Sequence, residues 1–404
     1  MKSVNARKLT YRKSLAALRK IGGFDAEFRN ESNRLALGGV VLLFDKAEFE
    51  VLRLCAWCKD LPASGCRNIP ADTLDTLVSL KLIRLSRNGL GYRCTPEGFT
   101  LLQGAEMSYQ QDKTYRSNSD ALTRRFQTAQ ITSFFWRYGA NVFTQSPPAE
   151  MESNIFLPSF ALRRQQHANI LGGAKLTGFY YTKDSVFIPY FITEDNNGIF
   201  PDVEQRIFRA DIFLQDRRPH ILYTGDGNLE KIINTVSFCK ERSAKATTVY
   251  YKDAMDRFAC PVALVPLTTD GMRQLRILSV PDYRQRLVKN ILGDSYLPPE
   301  SPQSDGRNQS EDFIIGIDCN ILRFEKAIKS NKPTNIFVLP FQAETIRQIT
   351  DGTNAKCFYL NLEQTENYLG LSHDLPTIEH TPFQTGKGNY VNVPPLGKDK
   401  KTGK

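Results

Sequence analysis

The chain has 404 residues, 41% hydrophobic and 24% charged, which is the composition of a globular protein of two or three domains rather than a low-complexity chain. No apolar run is long enough to span a bilayer, and the basic amino terminus lacks the apolar core of a signal peptide, so the chain reads as cytoplasmic with no membrane partner. A net charge of +10 favours polyanionic partners, nucleic acid ahead of an acidic membrane surface.

Residues 1–34 read as a basic arm. Arg7, Arg12, Lys13, Arg19 and Lys20 outweigh the few acids, and Leu9, Leu15, Leu18 and Ile21 suit one face of a short helix. Such an arm lies along phosphates or in a minor groove; the plain alternative is a solvated leader. Leu35 to Phe44 is apolar enough for a buried strand or a helix lead-in.

Residues 35–104 carry the most local signal. Asp45 with Glu48 forms a candidate capping box, and Phe49, Leu52, Leu54, Cys55, Ala56 and Cys58 follow at helical spacing. After the loop Lys59 to Asn68, Pro70 stands at a first helical position. Asp72 to Leu82 then places Leu74, Leu77, Val78, Leu80 and Leu82 on a buried stripe. Ile83 to Ser86 and Tyr92 to Cys94 flank Arg87-Asn88-Gly89, a hairpin turn signal because Asn and Gly tolerate positive φ. Thr95-Pro96-Glu97-Gly98 closes the hairpin and opens a helix over Phe99 to Gln103.

The run Leu77 to Leu85 followed by Tyr92 to Gly98 resembles the recognition-helix-to-wing segment of bacterial winged-helix regulators. The resemblance covers about sixty residues and implies a winged helix-turn-helix. Its second helix would read the groove with Asp72, Thr73, Asp75, Thr76, Ser79 and Lys81 outward. Two acids make a poor phosphate surface, so Arg84, Arg87 and Arg93 near the wing, and the arm's Arg7, Arg12 and Lys13, must offset repulsion by the backbone. The competing reading uses the module for dimerisation or protein docking.

Residues 105–150 read as a connecting helical segment. Phe126, Ala129, Ile131, Phe134, Phe135 and Trp136 pack at helical spacing, against the winged helix or in a dimer seam. Ser146-Pro147-Pro148 marks the first domain boundary.

Residues 151–372 alternate strands and helices, which predicts an α/β domain with a mainly parallel or mixed sheet. A strand pair spans Lys175 to Thr182 and Val186 to Thr193, turned at Lys183-Asp184. Helices follow over Asp202 to Leu214, Asn228 to Arg242, Asp270 to Leu278 and Asp282 to Leu292. Shorter strands fall at His220 to Thr224, Thr247 to Tyr251 and Cys260 to Leu267. The proline-rich segment 297–310 reads as a flexible insertion. Strand–helix alternation resumes from Phe313 to Leu369, and residues 373–404 read as a basic disordered tail.

No complete catalytic signature emerges. Cys55-x-x-Cys58 with Cys66 and Cys94 lacks two close ligand pairs, so core thiols are the better reading, with no metal and no cofactor. Asp202, Glu204, Asp211, Asp226, Glu230 and Asp318 do not fall into a nuclease spacing, although a degenerate nuclease-like fold stays open. Tyr180-Tyr181 and Tyr250-Tyr251 have no His-x-His partner among His167, His220, His373 and His380. Tyr223 to Asn228 lies between a strand and a helix, where an anion would meet a helix amino end, but Asp226 favours a plain turn.

The domain order is similar to that of the winged-helix replication-relaxation proteins and accessory factors of bacterial plasmids and integrative elements. That similarity implies sequence-specific binding of double-stranded DNA in replication, transfer or transcriptional control of a mobile genetic element. Its candidate partners are a second copy of the chain and replication or transfer proteins. The alternatives are a metal-dependent nuclease-like α/β protein, a ligand-sensing regulator, and an interaction scaffold that dimerises through the winged helix.

Overall fold

The computed structural model describes residues 34–37, 40–43, 46–66, 69, 71–86, 91–104, 119–149, 152–163, 171–194, 198–199, 201–208, 210–237 and 249–375. The arm with Arg7, Arg12 and Lys13, the turn with Arg87, and the carboxy-terminal residues after 375 lie outside them. Over the described residues the fold is mixed α/β. It divides into two compact units that part between Ser133 and Phe134.

In the first unit, β1 (Arg34–Leu37) pairs antiparallel with β2 (Val40–Leu43). Helix α1 (Lys46–Cys58) is buried nearly all round through Phe49, Val51, Leu52, Leu54, Cys55, Ala56 and Trp57, so it is the centre of this unit's core. Lys59, with φ 65°, ends it in the left-handed conformation. Strand β3 (Leu61–Pro62), helix α2 (Ala71–Ser79), strands β4 (Ile83–Leu85) and β5 (Gly91–Cys94) and helix α3 (Pro96–Gly104) follow. The three strands form an antiparallel sheet in the order β3-β5-β4.

The Thr-Pro-Glu-Gly stretch shows why each residue type is needed. Thr95 Oγ1 accepts from Gly98 N at 3.1 Å, which caps α3, and donates to Lys81 O at 2.7 Å. Pro96 occupies the first turn, where its missing N–H costs nothing. A side chain at Gly98 would place its Cβ 2.4 Å from Leu82 O, so only glycine lets α3 lie against the chain entering β4.

Helix α4 (Ser119–Arg137) contributes its first part to this unit. The parting falls within α4 rather than at Pro147-Pro148, because Asn141 bonds into strand β6 (Ile155–Pro158). Asn141 N donates to Asn154 O at 3.0 Å, and Phe156 N to Asn141 O at 2.9 Å.

The second unit holds a five-stranded sheet, with β12 (Val262–Leu264), β10 (Arg218–Thr224), β8 (Ser185–Phe191), β7 (Gly178–Tyr181) and β6 side by side in that order. After β6 come α5 (Ser159–Leu162), β7 (Gly178–Tyr181), β8 (Ser185–Phe191) and β9 (Gly198–Ile199). The run Asp202 to Leu214, expected as one helix, is split into α6 (Pro201–Phe208) and α7 (Asp211–Leu214). Then follow β10 (Arg218–Thr224), α8 (Leu229–Ser237), β11 (Val249–Tyr250), α9 (Tyr251–Met255) and β12 (Val262–Leu264). Strands β6, β7 and β8 meander antiparallel, whereas β8, β10 and β12 run parallel. One face carries a stack in which Phe135 lies 4.7 Å from Phe156 and 4.3 Å from Tyr180, ring centre to ring centre.

Helices α10 (Thr269–Ser279) and α11 (Tyr283–Leu292) lead to a separate four-stranded sheet instead of extending the first. Its order is β13 (Gly306–Arg307), β14 (Asp312–Ile315), β15 (Thr334–Val338) and β16 (Ala355–Tyr359), all parallel except β13. Helices α12 (Ile321–Lys329) and α13 (Pro340–Thr350) make the crossovers, and α14 (Leu362–Leu369) closes the unit.

The 297–310 segment corrects the sequence reading. It is not a flexible insertion: Leu297 and Arg307 exchange backbone hydrogen bonds at 2.8 and 3.0 Å, and Ser304 and Asp305 are buried. Asp305 Oδ2 pairs with Arg323 Nη2 at 2.7 Å and accepts from Ile315 N at 2.7 Å. A proline-rich, polar composition concealed a strand held by a buried ion pair.

Candidate nucleic-acid interface

Helix α2 buries Thr73, Leu74 and Leu77 and exposes Asp72, Asp75, Val78 and Ser79, with Thr76 half-buried. Two expectations are thereby revised. Thr73 faces the core, not the outside, and Val78, placed on the buried stripe by its spacing, is 40% exposed. The helix is rolled so that Thr73 is buried along with Leu74 and Leu77.

The helix also stops earlier than its apolar pattern suggested. Lys81 takes φ 61°, its N–H bonds Val78 O at 2.9 Å, and Leu82 N bonds Leu77 O at 3.0 Å. These are the paired bonds of a left-handed helix stop, with lysine where glycine is usual. The turn leaves Lys81 exposed and sends the chain directly into β4. Ser79 is exposed as well, with its hydroxyl donating back to Thr76 O at 2.8 Å.

On the hairpin, Arg84 of β4 stands opposite Arg93 of β5. Asp60, fully buried after the end of α1, accepts from Arg93 Nε and, on its other oxygen, from Arg125 Nε of α4 at 3.0 Å. Arg93 is therefore held by a buried carboxylate that it shares with Arg125, which differs from the free phosphate contact expected of it. Arg84 is exposed, and neither it nor Lys81 has a side-chain partner among the described residues. Leu85, 51% exposed, follows Arg84 in β4, so its side chain projects from the opposite face of the hairpin. The exposed residues of α2, β4 and the turn between them thus include Lys81 and Arg84, the acids Asp72 and Asp75, and the apolar Val78 and Leu85.

Other candidate chemistry disperses in three dimensions. Cys55, Cys58, Cys66 and Cys94 are buried free thiols; burial pushes Cys66 and Cys94 up to about 12 and also raises Cys55 and Cys58, so all four stay protonated. Among the described residues, no three His, Cys, Asp or Glu side chains are placed to hold a metal ion. Glu204 is buried, accepting from Tyr190 Oη at 2.7 Å and Lys175 N at 2.8 Å. Asp318 pairs with Arg284. Tyr180, Tyr181 and Tyr251 are buried, and burial raises their hydroxyl pKa, the reverse of what a tyrosine nucleophile requires. Among the described residues, no helix is long and apolar enough to cross a membrane.

Comparison of the chain with protein-family models, curated proteins and solved structures returns no match.

Proposed function

We propose that the first unit is a winged helix-turn-helix and that the protein is a cytoplasmic binder of double-stranded DNA, acting in replication, transfer or transcriptional control of a mobile element. The observation that carries this reading is the hairpin's Arg84. It is held opposite a second arginine that Asp60 binds together with Arg125, and it lies close in sequence to the exposed Lys81 at the end of α2. Two cations with no side-chain partner among the described residues, at a helix-to-hairpin junction, suit phosphates flanking a groove. Thr76 and Ser79 are then the base-facing side chains, Arg87 and the arm's Arg7, Arg12 and Lys13 add phosphate contacts, and Thr73 supports the fold.

The test is binding of the full chain to duplex DNA, compared with Lys81→Glu/Arg84→Glu. A loss of tenfold or more supports the reading, and equal binding defeats it. A second reading rests on Val78 and Leu85, two exposed apolar side chains, which suit a protein surface better than DNA. It predicts a dimer in sedimentation that Val78→Lys/Leu85→Lys converts to monomer.

A further inference from the structure

A crevice of about 220 Å³ opens where the parallel strands β8 and β10 end, beside the first turn of α8. It is smaller than the ~300–1,000 Å³ of drug-sized sites and has room for roughly seven waters. Phe191, Ile192 and Ile232 line it with buried apolar surface. The crevice is also lined by Lys231 from α8 and Glu194 from the chain following β8, both exposed.

Neither charge is matched. The side chains of Lys231 and Glu194 have no hydrogen-bond or ion-pair partner among the described residues, and they do not pair with each other. Some opposite charges in this unit do close on one another, as Lys326 does on Asp256 at 2.6 Å and Arg323 on Asp305 at 2.7 Å. Asp226 adds a second carboxylate to the rim. Thr224, buried and immediately before the lining residue Gly225, has a hydroxyl without a partner among the described residues. The amino end of α8 adds partial positive charge on the Lys231 side.

We propose that this crevice binds a small zwitterion with an apolar body, the chemistry of a free amino acid. Its carboxylate meets Lys231 and the first turn of α8, its ammonium meets Glu194, and its side chain covers Ile192 and Ile232. Apolar surface alone would accept a neutral solute, but two unpaired opposite charges flanking one apolar floor select a molecule carrying both. The inference is independent of DNA binding and is measured without DNA.

The experiment is calorimetric titration of the full chain with each of the twenty L-amino acids, with propylammonium and acetate as probes bearing one charge each. At least one apolar amino acid is expected to bind with Kd below about 1 mM. Lys231→Met and Glu194→Gln, both surface changes, are each expected to weaken it at least tenfold. The proposal is overturned if no amino acid binds below about 1 mM, if a single-charge probe binds as tightly, or if the two folded variants bind unchanged.

Discussion

Arg84 and Arg93 face each other across the β4–β5 hairpin, two guanidinium groups on directly paired residues. Like charges in that position repel. The pair is tolerated because Asp60, with no exposed surface, binds Arg93 on one oxygen and Arg125 on the other. One buried carboxylate thus joins the hairpin to α4 and leaves Arg84 as the cation turned outward.

Removing that carboxylate takes a shared buried partner from two part-buried cations. Asp60→Ala is expected to destabilise the first unit by about 3 kcal/mol. The check is denaturant unfolding in a Trp136→Phe background, where the buried Trp57 is the remaining tryptophan reporter for this unit. An unchanged midpoint would show that the Asp60 cluster contributes nothing.

A change at Lys81 tests stability and the proposed DNA binding separately. It holds a left-handed conformation that costs a non-glycine residue about 1 kcal/mol. Lys81→Gly is therefore expected to raise the first unit's stability by up to about 1 kcal/mol while weakening DNA binding. Unfolding and DNA-binding measurements on the same sample check both signs. A variant that loses stability would mean that the lysine stem packs where the backbone argument says it does not.

The second unit carries a pH-dependent element at the start of β10. Burial, with Arg218 and Arg284 nearby, holds the His220 imidazole down at about 4 against its ordinary 6.5, outweighing the pull of Asp318. Between those values the unfolded chain takes up a proton that the folded chain refuses. Stability is therefore lost as pH falls from about 6.5 toward about 4. Thermal unfolding at pH 7 and pH 5 should show a drop for the wild-type chain that His220→Leu reduces; parallel drops in both would remove His220 from the account.

Asp305 tests the corrected segment. With Arg323 also largely buried, Asp305→Ala is expected to cost about 3 kcal/mol and to expose 297–310 to proteolysis. A truly unstructured insertion would tolerate the change with no shift in melting.

What the sequence made legible was local. The spacing of Phe49, Leu52 and Cys55, and Thr95-Pro96-Glu97-Gly98 with its cap and its close approach to Leu82, depend on neighbours along the chain, and the elements formed where they were read. Thr73 and Val78 exchanged places because the roll of a helix is set by what it packs against. The strand read at Thr247 to Tyr251 overlaps β11 (Val249–Tyr250), whereas α9, of five residues, is too short to show a helical period. The separate sheet β13–β16 and the Asp305–Arg323 pair escaped because neither depends on local pattern. Of the interface, Lys81 and Arg84 were legible as cations, whereas the capture of Arg93 by Asp60, thirty-three residues away, was not.

The most direct test of DNA binding through this hairpin is a salt titration of duplex affinity for the full chain and for Lys81→Ala/Arg84→Ala. If both side chains sit on phosphates, the slope of log K against log salt becomes shallower by about 1.8, at roughly 0.9 per contact. An identical slope, or no duplex binding by the unaltered chain at physiological salt, contradicts the account.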